Sequence, residues 1–152
     1  MSRYSTARIS GVVLTALLFT FSVFAYDHSF LNGTWTLAPA KCDFAGQPAM
    51  QSGTIMIAEK EGIIIIERSF VYDGATETVF YKDSIGTENR ATIHNGKDLK
   101  TKTKWDHDVL KVTTTRPTGI TVESYSLGPD GTLLVGVEKP VSKPITLVFQ
   151  RQ

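Results

Sequence analysis

The sequence predicts an all-β chain: an antiparallel up-and-down barrel of about nine or ten strands. A two-sheet β-sandwich and a half-open meander are the other architectures the pattern allows. Three observations carry this prediction. From residue 30 onward, short runs rich in Val, Ile, Thr and aromatic residues alternate with clusters of Gly, Pro, Asn and Asp. The gaps between runs are too short for the crossover of about a dozen residues that a parallel pair needs. No segment after residue 25 sustains a 3.6-residue period. Closure into a barrel is preferred because it removes the edges that an open sheet of this size leaves exposed.

Residues 1–25 stand apart from this pattern. Arg3 and Arg8 precede a run without charge from Ile9 to Phe24, and Val23-Phe24-Ala25 ends it with a small residue. A basic start, an apolar stretch and a small-residue cleavage site make an export signal cut after Ala25. An uncleaved anchor is the rival reading, but the run is at the short end of the roughly 17–25 residues a spanning helix needs. Residues 26–152 are then expected as a single barrel domain, periplasmic or secreted. The whole chain has a formal net charge of +1, which becomes −1 once Arg3 and Arg8 leave with the signal. A near-neutral domain offers no electrostatic case for nucleic acid or an anionic membrane.

The strands follow in order. "GTWTL" (33–37) comes first. The gap Pro39–Gly53 holds two prolines and reads as a loop over one end. "TIMIAEK" and "GIIIIERSF" divide at Glu61-Gly62, and "ETVFYK" follows Asp73-Gly74. Asn95-Gly96 is a two-residue hairpin signal, since a type I′ turn needs positive φ at both central positions. "LKTKTKW" and "VLKVTTTR" divide at Asp106-His107-Asp108. "ITVESYSL" and "TLLVGVE" divide at Gly128-Pro129-Asp130-Gly131, and "ITLVFQR" closes the chain.

The strand "LKTKTKW" sorts its side chains most clearly. Lys100, Lys102 and Lys104 face one way, as a solvated outer face or an anion-binding patch. Leu99, Thr101, Thr103 and Trp105 face the other. Buried hydroxyls without partners cost about 1–3 kcal/mol. The two threonines therefore suit a water-containing lumen, or equally a half-exposed sheet. Thr101, Thr103 and Trp105, with Tyr125 on a later strand, are the candidate ligand-lining residues. Glu123 beside Tyr125 points inward in one register and could act as a base; in the other, Val122 is inward.

Other chemistry is sparse. Asp106-His107-Asp108 offers carboxylates around a histidine, but its simpler reading is a turn in which Asp bonds the local backbone. His28 near the mature N-terminus and His94 beside a hairpin tip do not combine with His107 into a metal-ligand spacing. No nucleophile elbow or phosphate loop is present, so neither metal nor cofactor is expected. Cys42 is the one cysteine and admits no intramolecular disulfide. Burial as a small hydrophobe is its ordinary fate, with a dimer through Cys42 as the alternative. Asn32-Gly33-Thr34 is a glycosylation sequon, relevant only in a eukaryotic secretory pathway.

"GTWTLAPAKCDF", "KWDHDVLKVTTT" and "YSLGPDGTLLV" together resemble small exported bacterial proteins of lipocalin-like, calycin type. More distantly, Gly33-x-Trp35 with a final Arg151 resembles the fatty-acid-binding proteins. The resemblance implies that Trp35 plugs one end of the barrel and that Arg151 packs over its ring as a cation–π pair. A buried Trp without a special partner is the plainer reading. Two departures bear on function. The fatty-acid-binding proteins carry a helix-turn-helix lid between their first two strands, whereas Pro39–Gly53 has no helical pattern. They hold a carboxylate with an Arg-x-Tyr on the last strand, where this sequence has Leu147 and Phe149, which offer no charge-assisted bond.

The function expected from these readings is binding of a small, largely apolar molecule in the barrel mouth. A protein-interaction or envelope-structural module with a filled core is the alternative, and an enzyme ranks third. The interior discriminates the first two: a continuous cavity of about 300 Å³ or more favours binding.

Overall fold

The computed structural model describes residues 28–93 and 98–152, and the side chains of all of these except 90–93 and 98. The export signal over 1–25 and the Asn95-Gly96 turn with its neighbour His94 lie outside the described residues. Ten described strands form the wall: β1 (Gly33–Leu37), β2 (Ser52–Lys60), β3 (Ile63–Tyr72), β4 (Ala75–Ser84), β5 (Glu88–Ile93), β6 (Asp98–Asp106), β7 (Val109–Arg116), β8 (Gly119–Leu127), β9 (Leu133–Glu138) and β10 (Ile145–Arg151). Each pairs antiparallel with its sequence neighbour. β1 closes the ring against β10 through Trp35–Arg151 and Leu37–Phe149. Closure excludes both the sandwich and the open meander. Among the described residues no helix is long and apolar enough to cross a membrane.

The turns obey the chemistry of their residues. Glu61-Gly62 and Asp73-Gly74 both hold positive φ at two successive positions, the type I′ geometry whose twist suits a hairpin. The β6–β7 turn uses His107 at φ 54°. The strands then alternate: Ile64, Ile66, Arg68 and Phe70 of β3 are buried, as are Leu110, Val112 and Thr114 of β7, while Lys100, Lys102 and Lys104 are exposed. The lysine row is the solvated outer face, with Lys100 paired to Glu88 across the sheet at 3.3 Å.

Two places depart from a regular barrel. β1 is only five residues long, and beyond it the loop to β2 completes the wall. Ala38 bonds Val148, Asp43 forms an isolated bridge with Thr146, and Gln51 bonds Val71. This loop carries one short 3₁₀ turn, Pro39–Lys41, so no two-helix lid covers it. The second departure is β5, which the strand pattern of the sequence does not mark. Its segment "ENRATI" is mostly polar and pairs with β4 only at Val79–Ile93 and Phe80–Thr92. Where the two strands splay, the Asn89 side chain bonds the backbone N–H and C=O of Ser84 instead.

Candidate binding site

The two ends of the barrel differ. One end holds the β2–β3, β4–β5, β6–β7 and β8–β9 turns, and it is plugged. Leu31 and Trp35 are fully buried there. The Trp35 indole N–H donates to Leu31 O at 3.0 Å. The Arg151 guanidinium lies 4.2 Å from the centroid of the Trp35 ring, and its two terminal nitrogens donate to the carbonyls of Asn32 (2.7 Å) and Phe30 (2.8 Å). Gly33 makes this approach possible: its φ is 138°, and a Cβ there would sit 2.7 Å from Arg151 Nη1. Trp105 belongs to the same plug. Its ring stacks on His28 at 3.8 Å and meets Phe30 at a tilt, so His28 is packed against this end.

Midway along the barrel the interior is polar. Arg68 of β3 and Glu123 of β8 form a buried ion pair through Nη1 and Oε1. The Arg68 Nη2 donates to the Tyr81 hydroxyl at 3.1 Å, and the Tyr125 hydroxyl donates to Glu123 Oε2 at 3.0 Å. Arg68 and Glu123 expose only 7% and 3% of their surface, so each depends on the other for its charge to be tolerated. Burial opposes the Arg68 charge, but the Glu123 carboxylate and the two phenols outweigh it and hold the guanidinium above its ordinary range. Burial first, and the Glu123 charge second, push the Tyr125 phenol well above its usual value and that of Tyr81 to about 12. A second polar cluster joins β4 to β6 across the splayed β5. Asp83, wholly buried, accepts from Thr101 Oγ1 (3.0 Å) and Thr103 Oγ1 (2.5 Å).

Above this network a cavity of about 430 Å³ opens at the other end of the barrel. Phe70, Met50, Val135, Val137, Ile145 and Leu147 make its apolar wall, and Arg68 and Glu123 form its floor. Its rim carries Tyr72 and Glu77 from the β3–β4 hairpin, Arg116 and Thr118 from β7–β8, and Lys139 with the loop to Ser142 from β9–β10. The interior at this end is therefore not filled.

The sequence-selected residues fall into three places. Thr101 and Thr103 face the lumen, with their hydroxyls bound to Asp83. Tyr125 also faces the lumen and is bound to Glu123. Trp105 lies in the plug with Trp35 and Arg151. None of the first four is a wall of the cavity just described. The register puts Glu123, not Val122, inside. Asp106-His107-Asp108 is the turn read from its residues: His107 is exposed, its Nδ1 lies 3.1 Å from Asp106 Oδ1, and Lys111 Nζ sits 2.5 Å from Asp106 Oδ2. Those two partners hold the Asp106 carboxyl below its ordinary range. Among the described residues no three metal-ligating side chains converge. Cys42 is half-buried. Its thiol donates to Ala38 O at 3.3 Å and accepts from the Val148 N–H at 3.3 Å, and burial pushes it up.

Among the described residues, Arg68 and Asp83 are the buried charged residues that sequence reasoning did not single out. For Asp83 a signal existed, since Val79, Tyr81 and Asp83 share one face of β4. For Arg68 it was faint. The unbroken isoleucine run of β3 gives no alternation from which to assign its face.

No protein-family model matches the sequence, and no curated protein matches it either. Solved structures do. A mutant of the fluorescent protein UnaG superposes with a TM-score of 0.66 at 16% identity, covering 81% of this chain and 96% of that one. The fold is that of the calycins. The REP1-NXSQ fatty acid transporter superposes at 0.62 with 18% identity, over 80% of this chain and 96% of the other. A Schistosoma mansoni fatty acid binding protein in complex with arachidonic acid gives 0.62 at 14% identity, over 82% and 98%. Within the calycin barrel, Leu147 and Phe149 of the last strand are fully buried apolar residues. The ionisable pair of this interior comes instead from β3 and β8.

Proposed function

We propose that this calycin barrel binds a small, largely apolar molecule, and that it does so as an exported protein after loss of residues 1–25. The cavity of about 430 Å³, closed below by the Arg68–Glu123 pair and walled by apolar side chains, carries the reading. It exceeds the roughly 300 Å³ at which ligand pockets begin. Neighbours of the same fold are named for fatty acids, which agrees with a carrier. A carrier is also favoured over an enzyme because the two charged groups of the cavity floor are spent on each other. Export is supported by the basic, apolar and small-residue pattern of residues 1–25.

The test is native mass spectrometry on the mature protein, purified gently from the exported fraction of its host. A stoichiometric extra mass that organic extraction removes is the expected result. A clean apo mass, together with no binding of the neutral apolar probe N-phenyl-1-naphthylamine, would overturn the proposal and favour an interaction module.

A further inference from the structure

Resting on that reading, we propose that the barrel selects neutral molecules over anions, that its ligand is an uncharged apolar compound carrying a carbonyl (a ketone, ester or lactone), and that Glu123 sets this preference. Two observations carry this. The first is the balance of charge inside the wall. Among the described residues the buried charged side chains are Arg68, Glu123 and Asp83, two acids to one cation. Glu123 meets Arg68 through Oε1 and accepts from the Tyr125 hydroxyl on Oε2. Asp83 follows Tyr81 on the inward face of β4, and its partners are the hydroxyls of Thr101 and Thr103 rather than a cation. A carboxylate brought into the cavity would be a third acid around one guanidinium, and like charges in a buried site disfavour its ionised form.

The second observation is a donor left over on the floor. Arg68 spends Nη1 on Glu123 and Nη2 on Tyr81, but its Nε is buried and has no hydrogen-bond partner. A buried N–H without an acceptor costs free energy. A guanidinium offers donors alone, so what answers it must be an acceptor. Arg68 lines the cavity, and a ligand entering from the mouth can bring that acceptor. A neutral carbonyl oxygen supplies it without adding charge. An alcohol would bring a hydroxyl proton of its own to a floor where both Glu123 oxygens already accept a bond. The rest of the ligand then lies against Phe70, Val137, Ile145 and Leu147. The mouth does not reverse the preference. It carries both signs, Arg116 and Lys139 against Glu77, and charges at a solvent-facing rim exert little pull.

The experiment compares 2-dodecanone with dodecanoate as competitors of N-phenyl-1-naphthylamine, using the mature protein, the Glu123→Gln variant and the Arg68→Met/Glu123→Leu variant. The wild type should prefer the ketone by about tenfold or more, the equivalent of one pK unit of unfavourable charge interaction. Glu123→Gln should reverse that order, because dodecanoate then supplies the counter-charge that Arg68 has lost. The reversal should survive high salt, since a buried pair is screened little. Carbon-13 NMR of 2-dodecanone labelled at its carbonyl reads the contact directly. Its resonance should lie further downfield in the wild type than in the double variant, which has no guanidinium to donate. Where Glu123→Gln is too unstable to titrate, the wild-type ratio and the carbonyl resonance decide. A wild type that binds dodecanoate as well as the ketone, or a folded Glu123→Gln that gains no affinity for dodecanoate, overturns the selectivity and leaves the cavity reading standing. A carbonyl resonance that is the same in the wild type and the double variant overturns the contact with Arg68. Failure of the probe and both ligands to bind the wild type overturns the cavity reading itself.

Discussion

Replacing Glu123 by Leu would leave the Arg68 guanidinium buried at 7% exposure without its carboxylate. It would also leave the Tyr125 hydroxyl without its acceptor. Removing one partner of a buried pair typically destabilises by about 3–5 kcal/mol, because the remaining charge is stranded. Native domains are stable by only about 5–15 kcal/mol, so this single change removes a large share. At about 3–5 °C per kcal/mol for a domain of this size, the melting temperature should fall by roughly 10–20 °C. Arg68→Met alone should do comparable damage, since it strands Glu123. The double variant Arg68→Met/Glu123→Leu should recover most of the loss, because neither charge is then desolvated. Thermal and urea unfolding followed by circular dichroism at pH 7 measures all three. If the double variant loses as much as the two single variants summed, the pair is not coupled and this account of the floor is wrong.

Four further outcomes follow from the same geometry. Trp35→Ala should destabilise by about 3–5 kcal/mol, the usual range for emptying a large aromatic site, while Arg151→Ala, losing one exposed cation–π contact and two carbonyl bonds, should lose about 1–3 kcal/mol; urea titration of both ranks them. Tyr72 and Tyr81 are pushed up to about 12, in both cases first by burial. A phenol raised in the folded state contributes stability that is complete below its unfolded value near 10 and is lost as pH climbs through the folded value. Stability should thus decline between about pH 10 and 12, and absorbance at 295 nm should show Tyr81 and Tyr125 ionising together with unfolding; early ionisation in an intact fold would contradict their burial. The Cys42 thiol, raised by burial and engaged with Ala38 and Val148, should react slowly with an aromatic disulfide reagent until urea unfolds the chain. Gly33→Ala should lower stability, since a Cβ there collides with Arg151, and the same change combined with Arg151→Ala should cost less than the two separately.

Much of the fold was legible along the chain because its signals are local. Turn pairs such as Glu61-Gly62 and Asp73-Gly74 encode their own positive φ, and alternation in "LKTKTKW" assigns lysines outward without any partner. The same locality explains the missed strand: β5 has little apolar alternation and is held by Leu99–Ala91 and neighbouring pairs that its own residues do not announce. The burial of Trp35 was legible too, because a large aromatic demands burial wherever the strand lies; the packing of Arg151 over it followed only from the resemblance. The cavity was not. A strand slipped by one residue exchanges its two faces without changing its sequence, so Glu123 and Val122 were equivalent until β8 was fixed between β7 and β9. Arg68 meets Glu123 across 55 positions of chain, a distance only ring closure spans. The amino-acid sequence by itself therefore determined nine of the ten described strands, the turns that carry their own positive φ, and the burial of Trp35. Tertiary closure decided which polar residues face inward, that Arg68 and Glu123 neutralise each other, and that Arg116 and Lys139 stand at the mouth. Those outcomes depend on register between strands, and register is a property of the closed sheet rather than of any one strand.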